Sequence, residues 1–531
     1  MDALSLNRYL IRNASITSLL RGTAVLSGFI LDAIILAYFG LGKETDALFA
    51  SMAIPLLISS ALDNQAPKVL VPVIAHSFEK DGEEATWDLL RKIITVTGAI
   101  LLSLSIGLAY TGRILMPLQV PGFQPDVREQ SIRLFMVVSG LTVIQGMAPI
   151  FQSFLYARHH YVVPSIGRIT INCVAVVSVL LFRSALGIYA VAVGFLLGAL
   201  VQLVILIVAC SLKGLNYRIR WGVTDPRVWN TLRMFVYPLS GHAVTESKAL
   251  IENFLASMLG GGKLSVLRYA TRIIEAVSGM LLGGLITTSL PLVSQHAAAG
   301  NFREMKLSIL NAIRIIAYVS MPISCWLIFT AQPMLVLLYG HGRFSSADAT
   351  VIGSLIALMT PYVLLSRITG IVQIPFYANM RTRTPLLAVA VFIVTYTGFV
   401  IVLARRYDIY GFAIASSLAS ISAVLSMSFL MHRSFGPLGW TRLKSFGLKM
   451  SSVMAITVFA FFIAQFLDAQ ILSETMFSKW LRLLIPTTLG MLGFTVSSVF
   501  FDVVGWRHVQ GFLKPGSRYA TSLKAFVQIS G

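Results

Sequence analysis

Residues 264–305 read LSVLRYATRIIEAVSGMLLGGLITTSLPLVSQHAAAGNFREM, a long apolar segment with three charged residues near one end. Arg268, Arg272 and Glu275 are spaced i, i+4 and i+7, so they share one face of a helix. If the helix enters a bilayer near Leu264, Arg272 lies about 12 Å deep at about 1.5 Å per residue, near the middle of a hydrocarbon layer about 30 Å thick. An arginine facing lipid there costs roughly 2.5 to 3.5 kcal/mol. Arg272 is therefore predicted to face a wet cavity or a partner.

Two interpretations of this charged face are open. In the first, the arginines line a cavity, and a cationic cavity at mid-membrane favours an anionic passenger. In the second, Arg272 and Glu275 form a structural pair that locks neighbouring helices together. The distribution of charge over the other spans distinguishes between them.

The composition is that of a polytopic membrane protein. Of 531 residues, 56% are hydrophobic and 12% are charged, whereas soluble proteins carry about 25% charged residues. The net charge of +20 does not indicate nucleic-acid binding, because positive residues gather in short loops, where they set orientation and meet anionic lipid. The three cysteines, Cys173, Cys210 and Cys325, lie in apolar segments and offer neither a disulfide framework nor a metal site. The first apolar stretch lacks a small-residue cleavage site and is expected to remain as a span.

About fourteen apolar stretches are long enough to span a bilayer. They fall near 16–40, 46–76, 92–112, 131–157, 162–182, 187–211, 231–259, 264–297, 308–330, 350–377, 385–404, 409–432, 447–468 and 481–503. An even number places both termini on one side of the membrane. That side, which includes the 213–233 loop, carries roughly twice the positive charge of the other and is predicted to be cytoplasmic.

The chain repeats itself. FGLGKETDALFASMAI, starting at Phe39, aligns without a gap with LGGGKLSVLRYATRII, starting at Leu259, so that Thr45 falls on Ser265. Six spans separate the two segments, which gives both copies the same membrane orientation, as in transporters with parallel repeats. Chance similarity between glycine-rich turns is the alternative.

These patterns predict an all-α integral membrane protein of about 14 transmembrane helices. Two pseudo-symmetric six-helix lobes are expected at residues 1–220 and 221–440. Residues 441–531 are expected to hold two further helices, spans 13 and 14, and a cytoplasmic tail.

Charged residues inside the predicted spans concentrate where the repeat pairs the spans. They are Arg21 and Asp32 in span 1, Asp46, Asp63 and Lys68 in span 2, Glu246, Lys248 and Glu252 in span 7, Arg268, Arg272 and Glu275 in span 8, and Arg367 in span 10. Two lobes around an axis along the membrane normal enclose a cavity, which these residues are predicted to line. Structural roles compete at single positions. Asp46 lies at a helix start, where capping is the alternative, and Asp63 and Lys68 could neutralise each other.

The sequence contains no P-loop, HExxH or G-x-S-x-G motif. We therefore expect a transporter and not an enzyme, without a cofactor or a metal and without ATP hydrolysis.

Four segments resemble the MurJ/MviN family of lipid II flippases, which belongs to the multidrug/oligosaccharidyl-lipid/polysaccharide exporter superfamily. They are TDALFASMAIPLL (45–57), the block at 268–305, LYGHGRFSSADA (338–349) and PFYANMRTRTP (375–385). The resemblance implies transport of an undecaprenyl-pyrophosphate-linked disaccharide-pentapeptide from the inner to the outer leaflet by alternating access. It implies a cavity lined by spans 1, 2, 7 and 8 and a groove for the lipid tail at spans 13 and 14. By this resemblance Asp46 takes the place of an acidic residue at the start of span 2, and Arg272 that of an essential cavity arginine, with Glu275 one turn on.

Four positions depart from the family pattern. Leu31 and Val25 stand where the family usually has arginines, Ser59 replaces a functional arginine, and Arg381 replaces an aspartate. Several cations for a pyrophosphate are missing, so a flippase for an exopolysaccharide or another polyprenyl-linked repeat unit is an alternative.

The predicted substrate site comprises Arg272 and Arg268, with Arg21 or Lys68 opposite, holding the pyrophosphate; Arg367 is a further candidate cation. The acidic members Asp32, Asp46, Glu252 and Glu275 are expected to pair with the arginines when the site is empty.

A cation-coupled drug antiporter and a scaffold for envelope enzymes are further alternatives. The expected partners are a polyprenyl-pyrophosphate-linked glycan, membrane lipid and a possible coupling ion, with no nucleic acid. We expect a monomer in the bacterial inner membrane, with both termini cytoplasmic.

Overall fold

The computed structural model describes residues 3–215, 217–379, 381, 383–468 and 476–503. Fifteen α-helices lie in these ranges. They are α1 (Ala3–Phe39), α2 (Lys43–Lys80), α3 (Glu83–Gln119), α4 (Pro125–Val138), α5 (Leu141–Ala157), α6 (Val162–Leu186), α7 (Tyr189–Leu212), α8 (Pro226–Ser257), α9 (Lys263–Ala298), α10 (Phe302–Tyr339), α11 (Ser346–Ala378), α12 (Arg383–Tyr407), α13 (Tyr410–Phe435), α14 (Lys444–Asp468) and α15 (Met476–Phe500). A short 3₁₀ helix, Trp440–Leu443, precedes α14.

Twelve helical segments within the described ranges are long and apolar enough to cross a membrane, with α4 and α5 together forming one of them. The remaining two helices, α8 and α9, are 32 and 36 residues long and carry the charged residues of predicted spans 7 and 8. The prediction of an all-α membrane protein is confirmed, and the number of helices agrees closely with the predicted fourteen spans.

The chain folds into two compact units. The N-terminal unit consists of Arg12–Ser265 together with the short segment His341–Phe344. Of the described residues, the C-terminal unit takes Val266–Gly340 and those from Ser345 onward, with the first residues of α1 up to Ile11. Helix α8, predicted span 7, thus packs with the first six spans. The predicted lobe boundaries at 220 and 440 stay predictions.

The same helix pairings occur in both units. In the N-terminal unit α3 packs on α5, α5 on α7 and α6 on α7. In the C-terminal unit the helices six spans later make the corresponding pairs, α10 with α11, α11 with α13 and α12 with α13. Helices α14 and α15 pack on each other and on α10. The recurrence agrees with the six-span repeat that the sequence predicts.

Close packing of α6 and α7 depends on two glycines in α7. A Cβ atom at Gly194 would lie 2.8 Å from the Cα of Ala175, and one at Gly198 would lie 2.8 Å from the Cα of Ile171. Small residues four apart let helix backbones approach in this way within a membrane. In the corresponding pair, Gly411 lets α13 approach the backbone of α12.

Candidate functional site

Asp46 caps the start of α9. Its side chain is completely buried at the beginning of α2. Its Oδ2 accepts a hydrogen bond from the backbone N–H of Gly262 at 2.5 Å, and its Oδ1 accepts one from Ser265 at 2.7 Å. The first N–H groups of a helix have no partner within the helix and carry partial positive charge, so a carboxylate there is stabilising. The capping role weighed from the sequence is therefore observed, on a helix other than its own, and a substrate contact by Asp46 stays a prediction.

The two segments that the sequence aligns have the same local geometry. The Thr45 hydroxyl donates to the carbonyl of Gly42 at 2.9 Å, and the Ser265 hydroxyl donates to the carbonyl of Gly262 at 3.0 Å. Each hydroxyl lies three residues after its glycine, at the first turn of α2 and of α9. Matching side chains thus make matching hydrogen bonds at the two helix starts.

The acidic residues of α8 face basic partners on the same helix. Glu252 is 2% exposed and forms an ion pair with Lys248, one turn earlier, at 2.8 Å. Glu246 lies 3.8 Å from His242, which also contacts the Ser60 hydroxyl of α2 at 3.2 Å. A buried carboxylate with a paired ammonium avoids the cost of an isolated charge. Helix α8 therefore places a basic side chain of its own next to each of these two carboxylates.

A second charged group in the N-terminal unit joins α1, α2, α5 and α6. Arg168 of α6 forms an ion pair with Asp63 of α2 at 3.4 Å. Arg21 and Asp63 both lie within electrostatic range of the Tyr156 hydroxyl. Lys68 is exposed and donates to Gln65 on its own helix at 3.3 Å. The sequence alternative in which Asp63 and Lys68 neutralise each other is wrong, because Asp63 finds its partner on α6.

The C-terminal unit brings Arg367 of α11 to α9. Its Nε and Nη2 donate to the Ser278 hydroxyl at 2.9 and 2.5 Å. Glu275, one turn before Ser278, lies within electrostatic range of the same guanidinium. Predicted spans 8 and 10 are thus joined at membrane depth by a cation that hydrogen-bonds a neutral hydroxyl and has one carboxylate nearby.

Arg268 and Arg272 lie half-buried on α9, whereas Glu275 is exposed. The adjacent residue Tyr269 is buried on another face of the helix and packs 6.3 Å from the ring of Tyr339. Within the predicted set, the C-terminal unit therefore contributes three cations, Arg268, Arg272 and Arg367, against the single carboxylate Glu275.

The predicted site residues fall into two groups. Arg268, Arg272, Glu275 and Arg367 belong to the C-terminal unit, and Arg21, Asp32, Asp46, Lys68 and Glu252 to the N-terminal unit. Asp32 is 1% exposed within α1. Glu275 lies within electrostatic range of Arg367, and Arg21 and Asp63 both lie within electrostatic range of Tyr156. A joint cavity formed by both groups stays a prediction.

The predicted set omits Arg168, His242 and Ser278, whose side chains take part in these contacts. Arg168 is a charged residue inside predicted span 5, so the criterion of charge at membrane depth could have found it. His242 lies one helical turn before Glu246, a spacing that indicates a shared face. Ser278 is uncharged, and its contact with Arg367 depends on the packing of α9 against α11, which no sequence signal reveals. Among the described residues no group of three side chains has the composition and proximity of a metal site.

Comparisons with known proteins agree with this architecture. A family model described as "Lipid II flippase MurJ" matches residues 35–501. The chain is 23% identical over 411 residues to the "Probable lipid II flippase MurJ" of Aquifex aeolicus, which covers 75% of this chain and 79% of that protein. It is 24% identical over 478 residues to the protein of the same name from Buchnera aphidicola subsp. Baizongia pistaciae, covering 86% of this chain and 90% of that one.

Solved structures show the same fold. A "Lipid II flippase MurJ, inward closed conformation" superposes with a TM-score of 0.76 at 20% identity, covering 92% of this chain and 99% of that one. An inward-facing multidrug resistance MATE family transporter of the MOP superfamily gives a TM-score of 0.63 at 16% identity, covering 80% and 98%. With a family model matched from residue 35 to residue 501, the chain belongs to the MurJ family of lipid II flippases, which are transporters and not enzymes, as the sequence predicts.

Proposed function

We propose that this chain is a flippase that moves an undecaprenyl-pyrophosphate-linked glycan precursor of the lipid II type from the inner to the outer leaflet. The observation that carries the proposal is the family match, which extends over residues 35–501 and includes all of the predicted site residues except Arg21 and Asp32. The function given to the relatives is therefore associated with the same part of the chain as most of its predicted site residues.

In the proposed mechanism, the cations of α9 and α11 hold the pyrophosphate. Arg268, Arg272 and Arg367 are all half-buried at membrane depth, where hydrogen bonds from a guanidinium to phosphate oxygens are strong and directional. Ser278 accepts two hydrogen bonds from Arg367 and so fixes the direction of its guanidinium. Arg21 or Lys68 of the N-terminal unit complete the binding of the head group.

Carboxylates keep the charges compensated before the substrate arrives. Glu275 lies near Arg367, and an entering phosphate replaces it as the anionic neighbour of that guanidinium. Glu252 stays with Lys248 at 2.8 Å. The two compact units then alternate between inward-open and outward-open arrangements around a cationic cavity.

The excess of positive charge in alternate loops supports a location in the bacterial inner membrane with both termini in the cytoplasm. We propose a monomer as the working unit. A coupling ion or the membrane potential would supply the energy for transport.

A flippase for another polyprenyl-linked glycan is the second candidate. It is favoured by the positions that depart from the family pattern. Leu31 is completely buried, and the Ser59 hydroxyl donates to the carbonyl of Pro55 at 2.8 Å. Neither position therefore presents a cation, so the head group would have to be held from α9 and α11.

Complementation tests the proposal. The chain is expressed in cells depleted of their own lipid II flippase, and growth and lipid II translocation are measured. We expect rescue by the unmodified chain and a loss of about tenfold or more with Arg272→Ala, because a charge-assisted hydrogen bond contributes about 1.5 to 3 kcal/mol.

Arg303→Ala is the matched control, since Arg303 is exposed in the first turn of α10, and it should rescue fully. Failure of the unmodified chain despite normal membrane insertion would favour the exopolysaccharide alternative. Full rescue by Arg272→Ala would remove that residue from the substrate site.

A further inference from the structure

The N-terminal unit contains an apolar crevice of about 470 Å³ between α2, α3, α5 and α8. Its wall is formed by aliphatic and aromatic side chains, among them Leu62 and Leu70 of α2, Leu101 of α3 and Phe235 of α8. Taking about 30 Å³ for a group the size of a water molecule, this volume holds roughly fifteen such groups. A cavity with this lining suits a hydrocarbon chain and not a sugar or a phosphate.

The crevice has exposed aliphatic side chains along its edge on α3 and α8. At its edge Ile100 and Leu104 of α3 are 47% and 40% exposed, and Val236 of α8 is 66% exposed. On a membrane-spanning protein, exposed aliphatic side chains at this depth face lipid. A lipid chain can therefore enter the crevice sideways, without passing through a polar region.

One end of the crevice carries an aromatic and a cationic side chain. Trp229 and Arg233 both line it, and they lie one turn apart near the start of α8. The Trp229 indole N–H donates to the carbonyl of Val223 in the preceding loop at 2.7 Å, which fixes the ring against that loop. Tryptophan and arginine at such a position are typical of the level of lipid head groups.

Arg233 has no acidic partner among the described residues, in contrast to Lys92, Arg220 and Arg227. Lys92 and Arg227 both bind Asp225 at 3.0 Å, and Arg220 binds Asp88 at 2.5 Å. Arg233 is exposed. A cation without a partner at the mouth of an apolar crevice is complementary to a lipid that has an anionic head and a hydrocarbon tail.

The length of the crevice matches one leaflet. From Trp229 to Ala243, both on its lining, α8 rises by about 21 Å at about 1.5 Å per residue. One leaflet contributes about half of a hydrocarbon core about 30 Å thick. A single acyl chain that starts at Arg233 therefore ends within the crevice.

We propose that this crevice binds one acyl chain of an anionic glycerophospholipid, with the lipid phosphate at Arg233. The lipid belongs to the leaflet on the side of the 213–225 loop. The site is separate from the proposed substrate site on α9 and α11, and it takes a bulk membrane lipid as its ligand. The bound chain fills the space between α8 and the pair α2–α3.

The test uses the full chain in nanodiscs containing equal amounts of phosphatidylglycerol and phosphatidylcholine. Native mass spectrometry then measures which lipid remains bound after the protein is released. We expect the unmodified protein to retain phosphatidylglycerol in preference. Arg233→Gln should weaken that retention about fivefold, equivalent to about 1 kcal/mol for one basic residue at a membrane surface.

Arg218→Gln is the matched control, because Arg218 is an exposed arginine of the same loop region and does not line the crevice. It should retain phosphatidylglycerol as the unmodified protein does. Ala243→Leu narrows the crevice and should lower the retention of both lipids, with an unchanged ratio between them.

Equal retention of the two lipids by the unmodified protein would overturn the proposal, and so would equal effects of Arg233→Gln and Arg218→Gln. Retention of an added polyprenyl pyrophosphate in place of phosphatidylglycerol, with the same dependence on Arg233, would also contradict it. The comparison of lipids on the unmodified protein decides the matter even if a variant fails to fold.

Discussion

The Asp46 carboxylate accepts the backbone N–H of Ser265 at 2.7 Å across a sequence separation of 219 residues. This bond joins the start of α2 to the start of α9, the two helices that the internal repeat relates. It belongs to a buried cap in which Gly262 is the second donor.

Asp46→Asn is expected to destabilise the protein by about 2 kcal/mol, since it removes a charge-assisted cap and turns an amide N–H₂ towards backbone donors. Thermal unfolding in detergent measures the effect. Glu44→Gln is the control, because Glu44 is exposed in the same helical turn. An unchanged Tm for Asp46→Asn would show that the cap contributes nothing to stability.

Arg367 and Ser278 are expected to be energetically coupled. The single variants Arg367→Gln and Ser278→Ala each remove the contact. The free-energy change of the double variant should therefore be smaller than the sum of the two single changes, with a coupling energy of about 1 to 2 kcal/mol. The cycle is measured both on unfolding and on lipid translocation. If Ser278 fixes the guanidinium for substrate, translocation should show the coupling even where stability changes little. Additive effects on both measurements would argue against the positioning role.

Glu252→Gln should destabilise the protein by about 3 kcal/mol, because it leaves the half-buried Lys248 charge without this partner. Replacing both residues, as Lys248→Met with Glu252→Gln, should recover most of the loss. Chemical or thermal unfolding of the three variants checks this order. If the double variant is no more stable than Glu252→Gln, the loss of stability does not come from removing the partner of the Lys248 charge.

Asp225 makes folding stability sensitive to acid. Hydrogen bonds from Arg227, and further ones from Lys92, hold the pKa of Asp225 well below its usual value of 3.8. A carboxylate whose pKa is lowered on folding stabilises the protein above its unfolded pKa, and the contribution is lost as pH falls through the folded pKa. Asp225 is also the N-cap of α8.

Asp225→Asn should therefore lower the Tm at pH 7, by a loss of about 1 kcal/mol or more. The difference from the unmodified protein should stay constant down to about pH 4 and shrink below it. Unfolding curves between pH 7 and pH 3 measure both. If the difference in Tm between Asp225→Asn and the unmodified protein does not change with pH, the whole loss of stability comes from the missing N-cap of α8 and none from the ionisation of Asp225.

Gly342 packs against backbone. It has φ +66°, and a Cβ there would lie 2.2 Å from the carbonyl oxygen of Ala37. Gly342→Ala should be clearly destabilising, because it adds a collision to the cost of a left-handed backbone. Gly300 has φ +69° with nothing within 4 Å, so Gly300→Ala isolates the conformational cost. Equal losses of Tm for the two variants would mean that the segment His341–Phe344 moves away from α1 without cost.

Hydropathy predicted the spans well but could not locate every helix end. Helix α9 covers Lys263–Ala298, close to the predicted 264–297. Helix α1, in contrast, begins at Ala3, well before the predicted 16, because a helix can continue through polar residues that no hydropathy window detects. The predicted fourth span is divided into α4 and α5, since an apolar stretch gives no indication of a break in its hydrogen bonds.

The charged residues could be predicted as a set but not as pairs. Their concentration in α1, α2, α8 and α9 follows from the cost of charge in a membrane, which a sequence displays directly. Their partners depend on which helices meet, so the contact of Asp63 with Arg168 and that of Asp46 with α9 were beyond sequence reasoning. The allocation of α8 to the N-terminal unit likewise follows from packing and not from the repeat.

The matched helix starts differ at the position of the capping carboxylate, because Asp46 aligns with Val266. The side chain of Val266 has no hydrogen-bond acceptor. It therefore cannot cap the start of α2 in the way that Asp46 caps the start of α9. The first copy therefore supplies a buried carboxylate to the start of the second, and the two helix starts have diverged in this structural role.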